Sequence, residues 1–210
     1  MVDVETGPGS WHNRPMTQPA HLHPDRLFPA SEPARSIARD LYPAVKDLPI
    51  VSPHGHTDPA WFADNGRFAS PTALFLTPDH YVLRMLKSRG ISYDTLGIAR
   101  KDGGPVETDG RKAWRLFADN YHLFAGTPSK TWVDHSLQAV FGIAEELSGK
   151  TADTIYDAID SRLGTPELLP RAILDRFNVE VIATTEFALD PLTHHQKMEG
   201  DNYIGRVRTT

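Results

Sequence analysis

The sequence predicts an α/β chain, the first part of a larger (β/α) barrel, and three observations carry that prediction. Two short apolar runs, Leu48-Pro49-Ile50-Val51-Ser52 and Val179-Glu180-Val181-Ile182-Ala183-Thr184-Thr185, read as strands, the first of them buried. A long stretch of helical pattern separates them, and a third extended segment, Tyr203 to Thr210, begins after a short helix. Two or three strands cannot close a sheet around a core, whereas a (β/α)8 barrel of the TIM type uses about 250 residues before insertions. Residues 29–210 therefore read as the N-terminal portion of a barrel, with a helical insertion after strand 1 and incomplete at the C-terminus.

Residues 1–28 are rich in Pro, Gly, His and polar residues without apolar periodicity, and are expected to be a disordered tail. Met16 offers a second start within it. Ser31 looks like an N-cap, with Pro33 in the first turn of a helix reaching Tyr42. After the first strand, Pro53 to Ala73 reads as a loop with one helical turn. Thr77-Pro78-Asp79-His80 starts a helix with a hydroxyl cap, a Pro at the first position and an acid in the first turn, and Gly90 closes it. Gly97 to Gly110 is a glycine-rich, charged surface loop. Further helices are expected over Arg111–Phe124, Trp132–Leu147, Ala152–Leu163 (capped by Thr151) and Pro166–Phe177 (capped by Thr165), with a short one over His194–Glu199.

Composition narrows the chemistry. The chain has 210 residues, 40% hydrophobic and 23% charged, and Lys+Arg 22 against Asp+Glu 27 gives a net charge of −5. That balance argues against general binding to nucleic acid or to an anionic membrane. No apolar run approaches the roughly 20 residues that cross a bilayer. The N-terminus lacks a basic start followed by an apolar stretch and a cleavage site, so a cytoplasmic location is expected. With Cys 0, a metal would have to be held by carboxylates and the ten histidines.

His54-Gly55-His56 follows directly on the first strand. In extended backbone, residues i and i+2 point to one side, so the two imidazoles would converge on one point, with Gly55 leaving the backbone between them unobstructed. That suits two ligands of one divalent ion at the end of a barrel strand, where such active sites assemble. Asp58 could orient one of the rings. Asp79-His80-Tyr81 opens a helix, where backbone N–H groups favour an anion and His80 and Tyr81 can donate hydrogen bonds to it; the plainer reading is a capping Asp with half-buried aromatics. Trp132 and His135 share a helical face, read as a core tryptophan beside a solvated histidine. Thr184-Thr185-Glu186 can line a polar pocket at the end of the second strand, with Asp190 and His194-His195 behind it in a supporting or purely helical role. Arg206 and Arg208 are candidate carboxylate binders whose plainer reading is solvation.

Taken in order, Leu48 to His56, Asp79-His80-Tyr81 with Arg84-Met85 and Gly90, Phe141-Gly142-Ile143, and Val181 to Thr185 with Asp190-Pro191 and His194-His195 resemble the uronate (glucuronate) isomerase family of the amidohydrolase superfamily. The likeness runs from about Leu27 to the C-terminus. It implies a distorted (β/α)8 barrel and interconversion of aldohexuronates with ketohexuronates, D-glucuronate with D-fructuronate and D-galacturonate with D-tagaturonate. Carried over to this chain, the resemblance makes His54 and His56 metal ligands, for a divalent ion expected to be zinc. It makes His80 and Tyr81 catalytic and substrate-binding residues, the tyrosine near the carbonyl and hydroxyl that exchange a proton. The implied partner is a small-molecule hexuronate, with no nucleic acid and no membrane, and a homo-oligomer is left open for the full-length enzyme. Further functional groups of the family, including an arginine just past Thr210 and a metal-binding Asp after the last strand, fall beyond this sequence. One local departure is Glu186-Phe187-Ala188-Leu189, which intervenes before Asp190-Pro191.

Moving a carbonyl between neighbouring carbons needs a base for the adjacent proton, a donor or cation at the developing enediolate oxygen, and an anchor for the distal carboxylate. The alternative is a metal-dependent hydrolase of the same superfamily, which shares the HxH but has no reason to keep the Asp79-His80-Tyr81 helix. A third reading is a truncated product that only binds. The isolated chain is expected to expose apolar barrel surface, to self-associate, and to have negligible isomerase activity.

Overall fold

The computed structural model describes residues 23–201 and 203–210. Most of the expected tail lies outside these residues. Residues 23–28 are described, and they do not behave as a tail: they form a turn in which the Asp25 carboxylate pairs with Arg39, and Phe28 stands edge-on to Tyr42 at 5.6 Å.

Helix α1 (Glu32–Leu41) starts after Ser31 with Pro33 in its first turn, and none of its residues is buried. Strand β1 (Ile50–Ser52) follows. Where one helical turn was expected there are two short helices, α2 (Pro59–Asp64) and α3 (Pro71–Phe75), each opened by a Pro and by a side-chain cap from Asp58 or Ser70. Helix α4 (His80–Ser88) is capped by Asp79 rather than Thr77, because the Asp79 carboxylate accepts from the amides of Tyr81 and Val82. Gly90, at φ +85°, ends it in the left-handed conformation that the sequence leads one to expect.

The insertion continues with α5 (Gly110–Asp119), α6 (Pro128–Ala139), α7 (Ala152–Leu163) and α8 (Pro170–Arg176). Helix α6 lies earlier than expected, since Thr127 caps it and Pro128 fills its first position. It also ends earlier, because Gly142 at φ +67° turns the chain before Leu147. Apolar spacing explains the packing. Helix α5 buries Ala113, Trp114, Phe117 and Ala118, and α7 buries Ala152, Ile155, Ile159 and Leu163, each set on one stripe. The two stripes meet, and the Trp114 indole N–H donates to the Ala152 carbonyl at 2.9 Å.

The chain then forms β2 (Val179–Thr184), α9 (Thr193–Gly200) and β3 (Val207–Thr209). The three strands make one parallel sheet in the order β1-β2-β3. In register, Ser52 lies opposite Ile182, and Thr184 opposite Thr209. The fold is thus α/β, with a small parallel sheet and a large helical excursion between its first two strands. The expectation of a buried first strand does not hold. Ile50 is 48% and Val51 59% exposed, because β1 pairs with β2 along one edge and has no strand on its other edge among the described residues.

Candidate active site

The parallel sheet sends the ends of β1 and β2 in one direction, so the segments that follow them come together. The decisive contact is between these two segments. The Thr185 hydroxyl donates to the Gly55 carbonyl at 2.8 Å, tying the turn between His54 and His56 to the end of β2. Backbones approach closely here, since a Cβ placed on Gly55 would lie 3.3 Å from the Ala183 carbonyl oxygen. His54 and His56 are both exposed, with ring centroids 5.1 Å apart and planes nearly perpendicular at 88°.

That separation fits shared ligation. A ring centroid sits about 3.2 Å from an ion bound by one of its nitrogens at about 2.1 Å, and two such rings at a tetrahedral angle stand about 5 Å apart. The donor set within this chain stops at two: among the described residues, no group of three or more His, Cys, Asp or Glu is placed to hold a metal ion. Asp58 does not serve as an orienting partner for the imidazoles. Its carboxylate caps α2, accepting from the Ala60 amide at 2.8 Å.

His80 and Tyr81 occupy the first turn of α4 and are also exposed. Their rings are close and tilted, centroids 4.1 Å apart with 34° between the planes, and the Arg84 guanidinium sits 5.1 Å from the tyrosine ring. The cap of the plainer reading is present, and Tyr81, 51% exposed, is half-buried as that reading expects. Among the described residues no hydrogen bond or ring contact joins this pair to His54 and His56.

At the end of β2 the polar residues do line a buried cluster. Thr184 is fully buried, and its hydroxyl lies 3.0 Å from the His195 Nε2 and 3.2 Å from the Arg208 carbonyl. A hydroxyl has one proton, and the carbonyl can only accept, so His195 carries its proton on Nε2 and donates to Thr184. Glu186 is nine-tenths buried at 3.6 Å from the same nitrogen, and neither carboxylate oxygen has a hydrogen-bond partner. His195 thus holds the supporting place expected of it. Asp190 accepts from the Phe187 amide at 2.8 Å and closes the turn after Glu186. Arg206 pairs with Asp175 and the Val179 carbonyl, so it fastens the sheet instead of waiting for a carboxylate. Trp132 is exposed rather than core, and its neighbour His135 accepts from Arg26 at 3.1 Å. Sequence reasoning missed the Thr185–Gly55 tie; the adjacent Thr-Thr pair at a strand end was its only signal.

The family model for glucuronate isomerase matches residues 32–209. The chain belongs to the glucuronate isomerase family. A uronate isomerase of Phenylobacterium zucineum is 54% identical over 194 residues, covering 92% of this chain and 40% of that protein. Among solved structures, the glucuronate isomerase of Caulobacter crescentus superposes with a TM-score of 0.84 at 50% identity, covering 90% of this chain and 39% of the other. The uronate isomerase of Thermotoga maritima gives a TM-score of 0.74 at 26% identity, covering 90% and 38%. The chain therefore spans about 40% of the length of the glucuronate isomerase relatives it matches. These relatives carry isomerase names, which disfavours the hydrolase reading. No described helix is long and apolar enough to cross a membrane.

Proposed function

We propose that this chain forms the N-terminal part of a uronate isomerase, in a distorted (β/α)8 barrel, acting on an aldohexuronate such as D-glucuronate. The observation that carries the reading is the imidazole pair at the tip of β1, tied to the tip of β2 in a chain of this family. His54 and His56 would hold a divalent ion, zinc being our expectation, with the remaining ligands supplied from outside the described residues. When bound, such an ion supplies polarisation or orientation of the substrate oxygens.

The chain's own residues contribute part of the substrate site. His80 and Tyr81, on the first turn of α4, would donate hydrogen bonds to substrate oxygens, and Tyr81 would exchange a proton at the carbonyl and its neighbouring hydroxyl. The free carboxylate of the substrate is an anion, for which a helix N-terminus is a favourable neighbour. The open edge of β1 and the exposed Ile50 and Val51 support the barrel reading, because a further strand would cover them.

The test is a chimera in which this chain replaces the matching segment of the Caulobacter crescentus enzyme. It is expected to convert D-glucuronate to the ketose, and His54→Ala with His56→Ala is expected to abolish turnover while leaving the circular dichroism spectrum unchanged. The chain alone should give no turnover. A folded chimera that leaves both D-glucuronate and D-galacturonate untouched, or that hydrolyses esters or amides instead, overturns the proposal.

A further inference from the structure

We propose that Thr185 is a positioning residue for the His54–His56 pair, acting through a seam between the end of β2 and the turn after β1. This rests on the reading of the two imidazoles as ligands given above.

Three observations make the seam. The Thr185 hydroxyl reaches across to the Gly55 carbonyl at 2.8 Å, the carbonyl that lies between the two histidines. Gly55 meets the Ala183 carbonyl so closely that a side chain there would stand 3.3 Å from it, tighter than an ordinary contact. The neighbouring residue, Thr184, is buried against His195, so alternation puts Thr185 on the opposite side of the chain from that buried cluster.

The consequence is mechanical. His54 and His56 are exposed, and neither ring has a hydrogen bond to another side chain among the described residues. Their 5.1 Å separation therefore depends on the backbone between them together with the two side-chain rotamers. Among the described residues that backbone has two side-chain anchors, the Thr185 hydroxyl on the Gly55 carbonyl at 2.8 Å and the longer Ser52 hydroxyl on the His54 carbonyl at 3.5 Å, and one steric stop, the Ala183 carbonyl. Loss of the shorter anchor frees the peptide to rotate, and the rings lose their common focus. Groups that orient ligands in this indirect way change metal affinity by about 10- to 100-fold when removed.

The experiment uses the 210-residue chain with cobalt(II) as probe, taking uptake above that of the H54A/H56A double variant. A second readout needs no metal: the nuclear Overhauser effect between the His54 and His56 ring protons. Thr185→Val, which keeps the shape and removes the hydroxyl, is expected to weaken cobalt uptake about tenfold and to lose the ring-to-ring effect. Gly55→Ala should do the same by pressing on the Ala183 carbonyl, whereas Thr185→Ser should keep both signals. Retention of both signals in Thr185→Val overturns the proposal, as does a parent chain without the ring-to-ring effect. A parent chain that shows the effect, loses it in Thr185→Val and takes up no cobalt refutes the ligand reading alone and upholds the seam.

Discussion

The helical insertion and the three-stranded sheet answer the same demand, burial of apolar surface, to very different degrees. Among the described residues the insertion holds one cluster of twenty buried residues, Trp114, Phe117, Tyr121 and Phe124 among them, whereas the sheet end has five, Phe62, Ala63, Leu174, Met198 and Val207. Strand β1 contributes none of them. Stability and chemistry are thereby separated. The stable part is helical, and the candidate site sits on the exposed tips of the sheet and on the exposed first turn of α4. That helix belongs to both regions: Val82 and Leu86 anchor it in the insertion core, while His80 and Tyr81 face outward.

The largest test of this contrast is a pair of truncations. Trp114→Ala removes a fully buried indole together with its hydrogen bond to Ala152, and should cost about 3–5 kcal/mol in urea denaturation. Met198→Ala, fully buried in the smaller core, should cost about 2 kcal/mol, the low end of the range, because fewer buried neighbours surround the gap. Equal losses would mean that the two cores unfold as one unit of uniform density.

A second test concerns a buried charge within the insertion. Asp134 is 5% exposed; it accepts from the Tyr121 hydroxyl at 2.8 Å and from Lys130 at 2.8 Å, and Lys130 also reaches Glu146 at 3.1 Å. Burial, and then the Asp134 charge, push the Tyr121 hydroxyl far above its ordinary range, so it remains a donor. Lys130→Met leaves Asp134 buried with the tyrosine alone, at a cost of about 2 kcal/mol, below the range for fully enclosed pairs because Glu146 is exposed. A denaturation midpoint like that of the parent would show that the carboxylate takes up a proton or water instead.

The two regions also differ in how far the sequence reveals them. The bounds of helix α7, Ala152 to Leu163, were legible, although Thr151 makes no side-chain cap there and its hydroxyl donates to the Glu146 carbonyl instead. The start of α4 was misread by two positions, because Thr77 and Asp79 are both good caps and only the amides they meet decide between them. The nearness of the HxH pair was legible from its i, i+2 spacing, and the two rings do stand 5.1 Å apart. The cover over β1 was not legible, because an apolar run such as Leu48–Ser52 states a wish for burial and leaves its partner unnamed. Nor could local pattern show Thr185 on Gly55 or Glu186 beside His195, which arise when segments distant in the chain are brought together by the sheet register.

The smallest effect expected concerns the turn at residues 23–28, which belongs by its contacts partly to the insertion. Arg26 donates to the His135 Nδ1 at 3.1 Å, on the exposed side of α6. An arginine only donates, so that nitrogen must stay unprotonated for the bond to exist. Loss of solvent around the ring, and secondarily the Arg26 charge, hold the imidazole below its ordinary range. The sign follows from proton uptake. As pH falls through about 6.5, the unfolded chain takes up a proton on His135 that the folded chain refuses, so stability declines there until the lowered folded value is reached. Between about pH 7.5 and about pH 5.5, His135→Gln should therefore lose less of its melting temperature than the parent, and Arg26→Gln should do so by a smaller margin. An unchanged pH dependence in His135→Gln would detach this turn from the insertion and leave it tied to α1 alone, through Asp25 and Arg39.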